Sequence, residues 1–460
     1  MYNLDVIQKI HFIGIGGISM SALAKLMIAY GKTVTGSDLK YNNEICVLNQ
    51  LGAKTIIGHD LSLLGDIDLV VYTSSLDSEN PELTYATEKG ILAVKRSKFL
   101  AMVASDFESV IAIAGTHGKT TVTAMLTSIF LESNEIFTAH IGGNINNSIG
   151  NLIYKGHKYF ITEACEYMHG FIELKPDIAV VLAVEYDHPD TYESIRDVYA
   201  AFDKFIDKIK TGGMLAIGGS SQYYTSKTGI DDKYKLSERL LVRTYGFEDE
   251  DSVAIRNATI NNDGCYTIRL SDGESQITVK LTVPGYHNIL NAAAAYTVSK
   301  YCNISDESIK RGLEGFVGIE RRFQAVGSVN GAQIVVDYAH HPTEIVAAIA
   351  TANSMLCNRV VCVFQPHTYS RTKSLYDDFI RAFVDADLVI IFKEYPAREI
   401  EIEGFSAYRL YQGIKMRGMR TYYYSALLGL SSFLMDELQE NDMLLILGAG
   451  DIDILAKLLA

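Results

Sequence analysis

The sequence contains few of the residues that mark linkers, disulfide frameworks or zinc sites. Only 7 of its 460 residues are proline, so no long proline-rich linker separates its domains. The six cysteines are scattered and form no C-x-x-C pair, which argues against a zinc site and against a disulfide framework. We interpret the cysteines as reduced and mostly buried thiols.

Long apolar runs and an excess of positive charge are also lacking. The longest apolar stretches, such as Ile178 to Val184, are too short to span a bilayer, and the first residues show no secretory signal pattern. Lys and Arg number 41 against 55 Asp and Glu, a formal net charge of −14. Because nucleic-acid binding needs clustered basic residues, this charge predicts no nucleic-acid partner. The short apolar runs and the missing signal pattern predict a cytoplasmic protein with no membrane insertion.

The composition that remains is typical of a globular α/β protein. Hydrophobic residues make up 48% and charged residues 21%, and a chain of 460 residues suggests about three domains. Apolar runs starting near Ile10, Val110 and Gln333 each restart an alternation of strand-like and helix-like segments, which is typical of parallel sheets flanked by helices. We predict a Rossmann-like domain at 1–105, a central P-loop ATPase-like α/β domain at 106–322 and a C-terminal Rossmann-like domain at 323–460.

The most specific motif is AIAGTHGKTT, residues 112–121. It follows a strand-like run and opens a helical stretch, which is the context of a phosphate-binding P-loop. The backbone N–H groups of such a loop turn toward phosphate oxygens, Lys119 reaches the β- and γ-phosphates, and Thr120 places its hydroxyl on Mg²⁺. The alternative is a glycine-rich turn with a solvated lysine. We predict that ATP binds to Gly115, Thr116, His117, Gly118, Lys119, Thr120 and Thr121.

A second glycine-rich turn, FIGIGGIS at residues 12–19, resembles the dinucleotide-binding fingerprint. It follows a strand, precedes a helix and is trailed by Asp38, but Ser19 stands where the third glycine belongs. On this motif alone two alternatives stay open. The turn could bind no ligand, or it could bind a nicotinamide cofactor.

Metal-capable groups follow two further strands of the predicted central domain. Glu163 and Glu166 lie in ITEACEY, and Asp187, His188 and Asp190 lie in DHPD. Both segments come at the carboxyl ends of strands, where α/β sheets place ligands. Mg²⁺ prefers oxygen ligands together with substrate phosphates, so His188 is the unusual member. The alternative is exposed loop charge beside a histidine with internal hydrogen bonds.

Polar groups also follow later strand-like segments. PGYHNILNA carries two asparagines whose amides suit a purine edge, although Asn288 could instead cap the following helix. DYAHHPTEI and FQPHTYSRT carry histidines and Arg371 at strand ends, and a guanidinium suits a bidentate grip on a carboxylate or phosphate. The alternative for each is a set of surface polar residues in loops.

These motifs, in this order, resemble the Mur ligase family across essentially the whole chain. GTHGKT, DHPD and HNILNA are similar to its central ATPase domain, whereas HFIGIGG, DYAHHPTEI, FQPHTYSRT and GAGDI point to its L-alanine-adding branch. The resemblance implies an ATP-dependent carbon–nitrogen ligase of peptidoglycan precursor synthesis. Its reaction would join L-alanine to the lactyl carboxylate of UDP-N-acetylmuramate through an acyl phosphate, with Mg²⁺ bound alongside ATP.

The resemblance also implies roles for individual residues. Those of the UDP-sugar site are Gly14, Gly16, Gly17, Asp38, Ser74 and Ser75. Beyond the P-loop, the ATP site would include His287, Asn288, Asn291, Arg322 and Asp337. The magnesium ligands would be Thr120, Glu163 and His188. The catalytic group would be Lys119 together with the residues facing the amino acid and the acyl phosphate, His340, His367 and Arg371.

Three other functions remain open at this point. A related ligase attaches a recycled tripeptide to the same nucleotide sugar. An NAD-dependent dehydrogenase would use the first glycine-rich turn but would leave the P-loop unexplained. A nucleotide sensor without catalysis would not need intact phosphate and metal residues. The sequence departs from the family pattern at Ser19, Tyr167 and Thr368, and it leaves the oligomeric state open.

Ligand binding separates the ligase from the dehydrogenase. Because the P-loop already accounts for ATP, we expect the first glycine-rich turn to bind UDP-N-acetylmuramate and not NAD. Isothermal titration of the full chain with each ligand measures this preference. Tight NAD binding without UDP-sugar binding would support the dehydrogenase.

Overall fold

We describe the fold from a computed structural model. Within its described residues, no helix has the length and apolar character needed to cross a membrane. The predicted nucleotide-sugar residues Ser74 and Ser75 lie outside the described ranges. Those ranges are 4–73, 76, 79–146, 150–219, 221, 223, 236–397 and 399–459.

Strands and helices alternate along the chain. The strands are β1 Lys9–Ile13, β2 Thr33–Asp38, β3 Lys54–Ile57, β4 Leu69–Tyr72, β5 Leu92–Lys95, β6 Ser109–Ala114, β7 Phe137–Ile145, β8 Gly150–Tyr154, β9 Tyr159–Glu163, β10 Ile178–Val181, β11 Met214–Gly218, β12 Leu241–Gly246, β13 Val253–Ile260, β14 Tyr266–Ser271, β15 Gln276–Lys280, β16 Gln324–Val329, β17 Ala332–Asp337, β18 Val360–Phe364, β19 Leu388–Phe392, β20 Thr421–Tyr424 and β21 Met443–Leu447. The α-helices are α1 Ile18–Ala29, α2 Asn43–Gln50, α3 Pro81–Glu88, α4 Arg96–Ala104, α5 Lys119–Leu131, α6 Ile195–Ile206, α7 Leu236–Arg239, α8 His287–Tyr301, α9 Asp306–Glu314, α10 Pro342–Asn353, α11 Tyr369–Ser374, α12 Tyr376–Phe379, α13 Ala407–Met416, α14 Leu427–Glu437 and α15 Ile454–Leu459. The described residues also form 3₁₀ helices at Leu4–Val6, Leu61–Leu64 and Tyr167–Glu173.

Contacts divide the chain into two compact units. The first comprises Met1–Val184, Val198–Val253 and Ala294–Gly312. The second comprises Glu185–Asp197, Ala254–Ala293 and Leu313–Ala460.

The first unit begins with a parallel sheet in the order β3-β2-β1-β4-β5. Its central strands are short apolar runs, and residues such as Phe12 and Val70 are fully buried. The chain winds from β1 outward to β3 and then returns to β4 on the other side of β1. The turn after β1 therefore lies at the point where the strand order reverses, which is where open α/β sheets bind ligands.

The first unit contains a second set of strands in the order β12-β11-β10-β6-β9-β7-β8. All neighbours in this set run parallel except β7 and β8, which form an antiparallel pair. Because β6 lies between β10 and β9, the P-loop that follows β6 is flanked by the segments that follow those two strands. This order places three strand-end segments at one edge.

A buried polar network fastens α1 to the β7–β8 pair within the first unit. Lys25 on α1 donates from Nζ to Glu44 Oε2 at 2.6 Å and to Asn151 Oδ1 at 2.7 Å. Asn151, which is fully buried, donates from Nδ2 to Ser21 Oγ at 2.9 Å. Every member has a partner, so the network holds the helix in one position instead of leaving buried polar groups unsatisfied.

The second unit contains an antiparallel set, β15-β14-β13, and a six-stranded sheet in the order β16-β17-β21-β18-β19-β20. In that sheet only β16 runs antiparallel to its neighbour. Alternate residues of β18 enter two different cores, Cys362 on one face and Val361 and Val363 on the other. Both faces are thus buried, which explains why these strands are continuous apolar runs.

Substitution of two helical glycines by alanine is predicted to have opposite effects on stability. A Cβ at Gly312 on α9 would lie 2.6 Å from the backbone nitrogen of Ile129 on α5, whereas one at Gly429 on α14 would lie 3.7 Å from the ring of Tyr424. We expect Gly312→Ala to destabilise the protein by about 1–3 kcal/mol through overpacking. Gly429→Ala, the matched control, should stabilise it by up to about 1 kcal/mol through helix propensity. Thermal unfolding measures both, and an unchanged Tm for Gly312→Ala would refute the close helix contact.

Candidate active site

The loop between β6 and α5 is shaped by glycines in the left-handed region. Gly115 has φ 143° and Gly118, the residue before α5, has φ 84°. A Cβ at Gly115 would lie 2.6 Å from the Cβ of Leu182, in the segment after β10. Thr116 N donates to the carbonyl of Ala183 at 2.7 Å. The loop is therefore held against the neighbouring strand end at the N-terminus of α5, where phosphate groups are favoured.

Lys119 lies at the centre of this arrangement as the first residue of α5. Its Nζ donates to Glu166 Oε1 at 3.0 Å and Oε2 at 2.9 Å, and also to the carbonyls of Gly115 and Thr116. Burial lowers the pKa of Lys119, but the charge and hydrogen bond of Glu166 together with the charges of neighbouring groups such as Glu163 outweigh burial, and the pKa is raised overall. The ammonium group therefore stays charged and ready to meet phosphate oxygens.

Glu163 ends β9, beside the P-loop strand in the register Ile113 to Glu163. Its Oε1 accepts a hydrogen bond of 2.6 Å from Gly142 N on β7. A Cβ at Gly142 would collide with this carboxylate, so the position tolerates only glycine while Glu163 keeps its orientation. The carboxylate and the buried Thr120 provide the oxygen donors that Mg²⁺ prefers, and the residues present fit that ion. His188 belongs to the second unit, and its role as a magnesium ligand stays a prediction.

The first glycine-rich turn is closed by Asp38. Gly14 has φ 82°, Gly17 precedes α1, and Gly16 N donates to Asp38 Oδ2 at 2.9 Å. Asn42 Nδ2 donates to the carbonyl of Gly16 at 2.8 Å. Asp38 thus orders the turn itself, and its contact with a uridine nucleotide stays a prediction.

Ser19, which replaces the third glycine of the fingerprint, connects three parts of the first unit. Its hydroxyl accepts a hydrogen bond from Arg96 Nη1 at 3.1 Å and lies 2.9 Å from His140 Nε2. Burial lowers the pKa of His140 to about 4, and the charge of Arg96 lowers it as well. Arg96 was missed in the sequence because it follows no glycine-rich motif and begins an ordinary helix.

The predicted adenine segment lies at the start of α8. Asn288 Nδ2 donates to the carbonyl of Pro284 at 2.7 Å and its Oδ1 accepts from Asn291 Nδ2 at 3.0 Å. Both asparagines are buried, whereas His287 is exposed. The side chain of Asn288 donates to a preceding carbonyl instead of accepting from the first N–H groups of the helix, so the capping alternative is not what these contacts show.

Asp337 ends β17 and receives hydrogen bonds from Phe323 N at 2.7 Å and Ala339 N at 2.6 Å. Burial raises its pKa to about 6, although the charge of Arg322 acts in the opposite direction. The guanidinium of Arg322 stacks on the ring of Tyr338 with its carbon 5.2 Å from the centroid. The structure therefore brings Arg322 and Asp337 together in one cluster.

His340 and His367 also meet in the second unit, with ring centroids 6.2 Å apart. They follow β17 and β18, which lie on either side of β21. His340 Nδ1 is 2.9 Å from the carbonyl of Tyr338, so it donates and its Nε2 is the acceptor nitrogen. Burial lowers the pKa of His340 to about 4 and that of His367 to about 3, and the charge of Arg371 lowers both further.

Arg371, on α11, was predicted to grip an anion of the substrate. In the structure it forms an ion pair with Asp187, at 2.8 Å from Nε to Oδ1. Burial raises the pKa of Asp187, but the guanidinium of Arg371 together with His188 and His340 outweighs burial and holds the pKa well below its usual range. The partner was missed because 184 residues separate the two side chains.

The parallel sheets and the glycine-rich loop between β6 and α5 define a multidomain α/β protein with a P-loop-like motif at the end of a parallel strand. The chain belongs to the Mur ligase family. Its residues 9–108 match the family model described as Mur ligase family, catalytic domain. Residues 113–299 match the Mur ligase middle domain, and residues 321–450 match the Mur ligase, glutamate ligase domain.

Individual relatives agree with this assignment over nearly the whole chain. The UDP-N-acetylmuramate–L-alanine ligase of Clostridium beijerinckii is 38% identical over 98% of this chain and 97% of the relative. The protein of the same name from Clostridium novyi is 40% identical over 97% and 95%. The crystal structure of the Thermotoga maritima UDP-N-acetylmuramate-alanine ligase has a TM-score of 0.81, 25% identity and 98% coverage of both chains.

The neutral histidines predict a dependence of stability on pH. The unfolded chain binds a proton on each histidine near pH 6.5, whereas folded His340 and His367 bind one only near pH 4 and 3. Stability should therefore fall as the pH decreases below about 6.5, and His340→Gln should reduce the slope. Thermal unfolding of both proteins between about pH 7 and 5 measures the difference. NMR midpoints near 6.5 for both rings would contradict their burial.

Proposed function

We infer that the protein is an ATP-dependent ligase that joins L-alanine to the lactyl carboxylate of UDP-N-acetylmuramate in peptidoglycan precursor synthesis. The observation that carries this proposal is the intact phosphate loop with a charged Lys119 beside Glu166, in a chain of the Mur ligase family. The curated relatives at 38% and 40% identity are named for this reaction. We propose domain boundaries near residues 105 and 322, and a cytoplasmic location.

The proposed reaction has two steps. The lactyl carboxylate attacks the γ-phosphorus of ATP, ADP leaves, and an acyl phosphate forms. The amine of L-alanine then attacks the acyl carbon, the amide forms, and inorganic phosphate leaves. Lys119 stabilises the negative charge that develops on the transferred phosphoryl group, because its ammonium is held at the N-terminus of α5.

Mg²⁺ bound with ATP would neutralise phosphate charge in the first step. We propose that the hydroxyl of Thr120, the carboxylate of Glu163 and the imidazole of His188 hold this ion. Gly142 N supports the proposal for Glu163 because it fixes the carboxylate at the strand end. We further propose that Gly14, Gly16, Gly17 and Asp38 bind the UDP portion.

A substrate panel separates this function from its relatives. Phosphate release from ATP is measured with UDP-N-acetylmuramate and each of L-alanine, glycine, L-serine and the recycled tripeptide. We expect release to depend on L-alanine. Release with the tripeptide alone would identify the tripeptide ligase, and no release with any amine would indicate a nucleotide sensor.

Lys119→Ala tests the phosphate loop. Turnover should fall at least about a hundredfold, because the lysine acts on charge that develops during phosphoryl transfer. Lys208→Ala is the matched control, since Lys208 is exposed on the same unit and should turn over like the parent. Near-normal turnover in Lys119→Ala would refute the assignment.

A further inference from the structure

Asp187 accepts three hydrogen bonds that connect two of the predicted site residues, Arg371 and His188. Its Oδ1 accepts from Arg371 Nε at 2.8 Å and its Oδ2 from Arg371 Nη2 at 3.4 Å. Oδ1 also accepts from the backbone N–H of His188 at 2.7 Å. The side chains of Asp187 and Arg371 are each 6% exposed, so the carboxylate and the guanidinium form a buried pair.

The bond to His188 supports an unfavourable backbone conformation. His188 has φ 56°, in the left-handed region that costs a non-glycine residue on the order of 1 kcal/mol. The carboxylate of the preceding residue accepts its N–H and offsets part of this cost. Asp187 therefore determines how the backbone presents the imidazole of His188.

Each of the three guanidinium nitrogens of Arg371 has a protein partner, and four of its five N–H groups have contacts. Nε and Nη2 face Asp187, whereas Nη1 is 3.2 Å from His367 Nδ1 and 3.3 Å from the carbonyl of His367. A bidentate grip on a substrate anion needs two N–H groups, so Arg371 would first have to give up its contact with His367 or with Asp187. Leaving Asp187 would strand a buried carboxylate without a partner, which is strongly unfavourable. The geometry favours an arginine that orients a neighbour.

That neighbour is His367, and the contact determines its tautomer. A guanidinium can only donate, so Nδ1 of His367 is the acceptor and the proton of the neutral ring lies on Nε2. The ring also stacks on Tyr395, with centroids 5.6 Å apart and planes inclined by 13°. His367 thus presents a fixed N–H donor, whereas His340, whose Nδ1 donates to Tyr338, presents a fixed acceptor.

We propose that Asp187 is a positioning residue for the amino-acid half of the reaction, acting through Arg371 to hold His367 as a hydrogen-bond donor toward the bound amino acid or acyl phosphate. This inference rests on the proposed function. It assigns Arg371 the role of orienting His367, in place of the predicted role of binding an anion of the substrate. It also couples the loop that carries His188 to the loop that carries His367.

The tautomer is tested first, on the protein without substrates. Long-range ¹H–¹⁵N NMR of the parent should show His367 protonated on Nε2. Asp187→Asn should release the guanidinium and yield a mixture of tautomers, whereas Glu193→Gln, an exposed carboxylate of the same segment, should match the parent. Arg371→Lys provides a second variant. It keeps a positive charge beside Asp187 but has no counterpart of Nη1, the nitrogen that contacts His367. An unchanged tautomer in both Asp187→Asn and Arg371→Lys would overturn the proposal.

Kinetics then test the consequence for the substrate. Asp187→Asn and Arg371→Lys should each raise the KM for L-alanine about tenfold or more, because His367 would no longer be held as a hydrogen-bond donor toward the substrate. The KM for ATP should change less. The double variant should lose no more than either single variant, because both act through His367. Losses that multiply in the double variant would overturn the proposal. If the parent shows no L-alanine-dependent phosphate release, the proposed function fails, and the tautomer experiment still decides whether Asp187 and Arg371 fix the tautomer of His367.

Discussion

A buried ammonium group needs an opposite charge close by, and in this protein Glu166 supplies it to Lys119. The pair keeps the lysine charged and folded toward its own loop before any nucleotide binds. In the proposed function, the phosphate oxygens of ATP would offer the lysine the same negative charge. The lysine would then exchange one anionic partner for another, and the loop, its glycines and the start of α5 would already be arranged for the phosphates.

The other site residues are gathered by the order of the strands. Parallel strands end at the same edge, so the segments after β6 and β9 lie side by side in the first unit, and those after β17, β21 and β18 lie side by side in the second. Each segment contributes one or two polar side chains to its edge. The apolar strands behind them are buried on both faces and give those side chains a rigid support.

The local parts of this architecture were predictable from the sequence. The α/β fold class is confirmed by the family match, and the apolar run Leu69–Tyr72 is a strand, as predicted. The P-loop and the first glycine-rich turn are each made by neighbouring residues, so their motifs could be read directly. Contacts such as Ser19 to His140, 121 residues apart, depend on strand register and could not. The β7–β8 hairpin was missed because its glycines and asparagines show no alternating pattern.

The contact between Gly142 and Glu163 limits which substitutions the sequence can accept at these two positions. Its N–H holds the carboxylate of Glu163, and that carboxylate occupies the space that a Cβ would need. The two positions are therefore not independent under mutation. A side chain at residue 142 would force the carboxylate at residue 163 to move, so the effect of a substitution at one position should depend on the residue at the other.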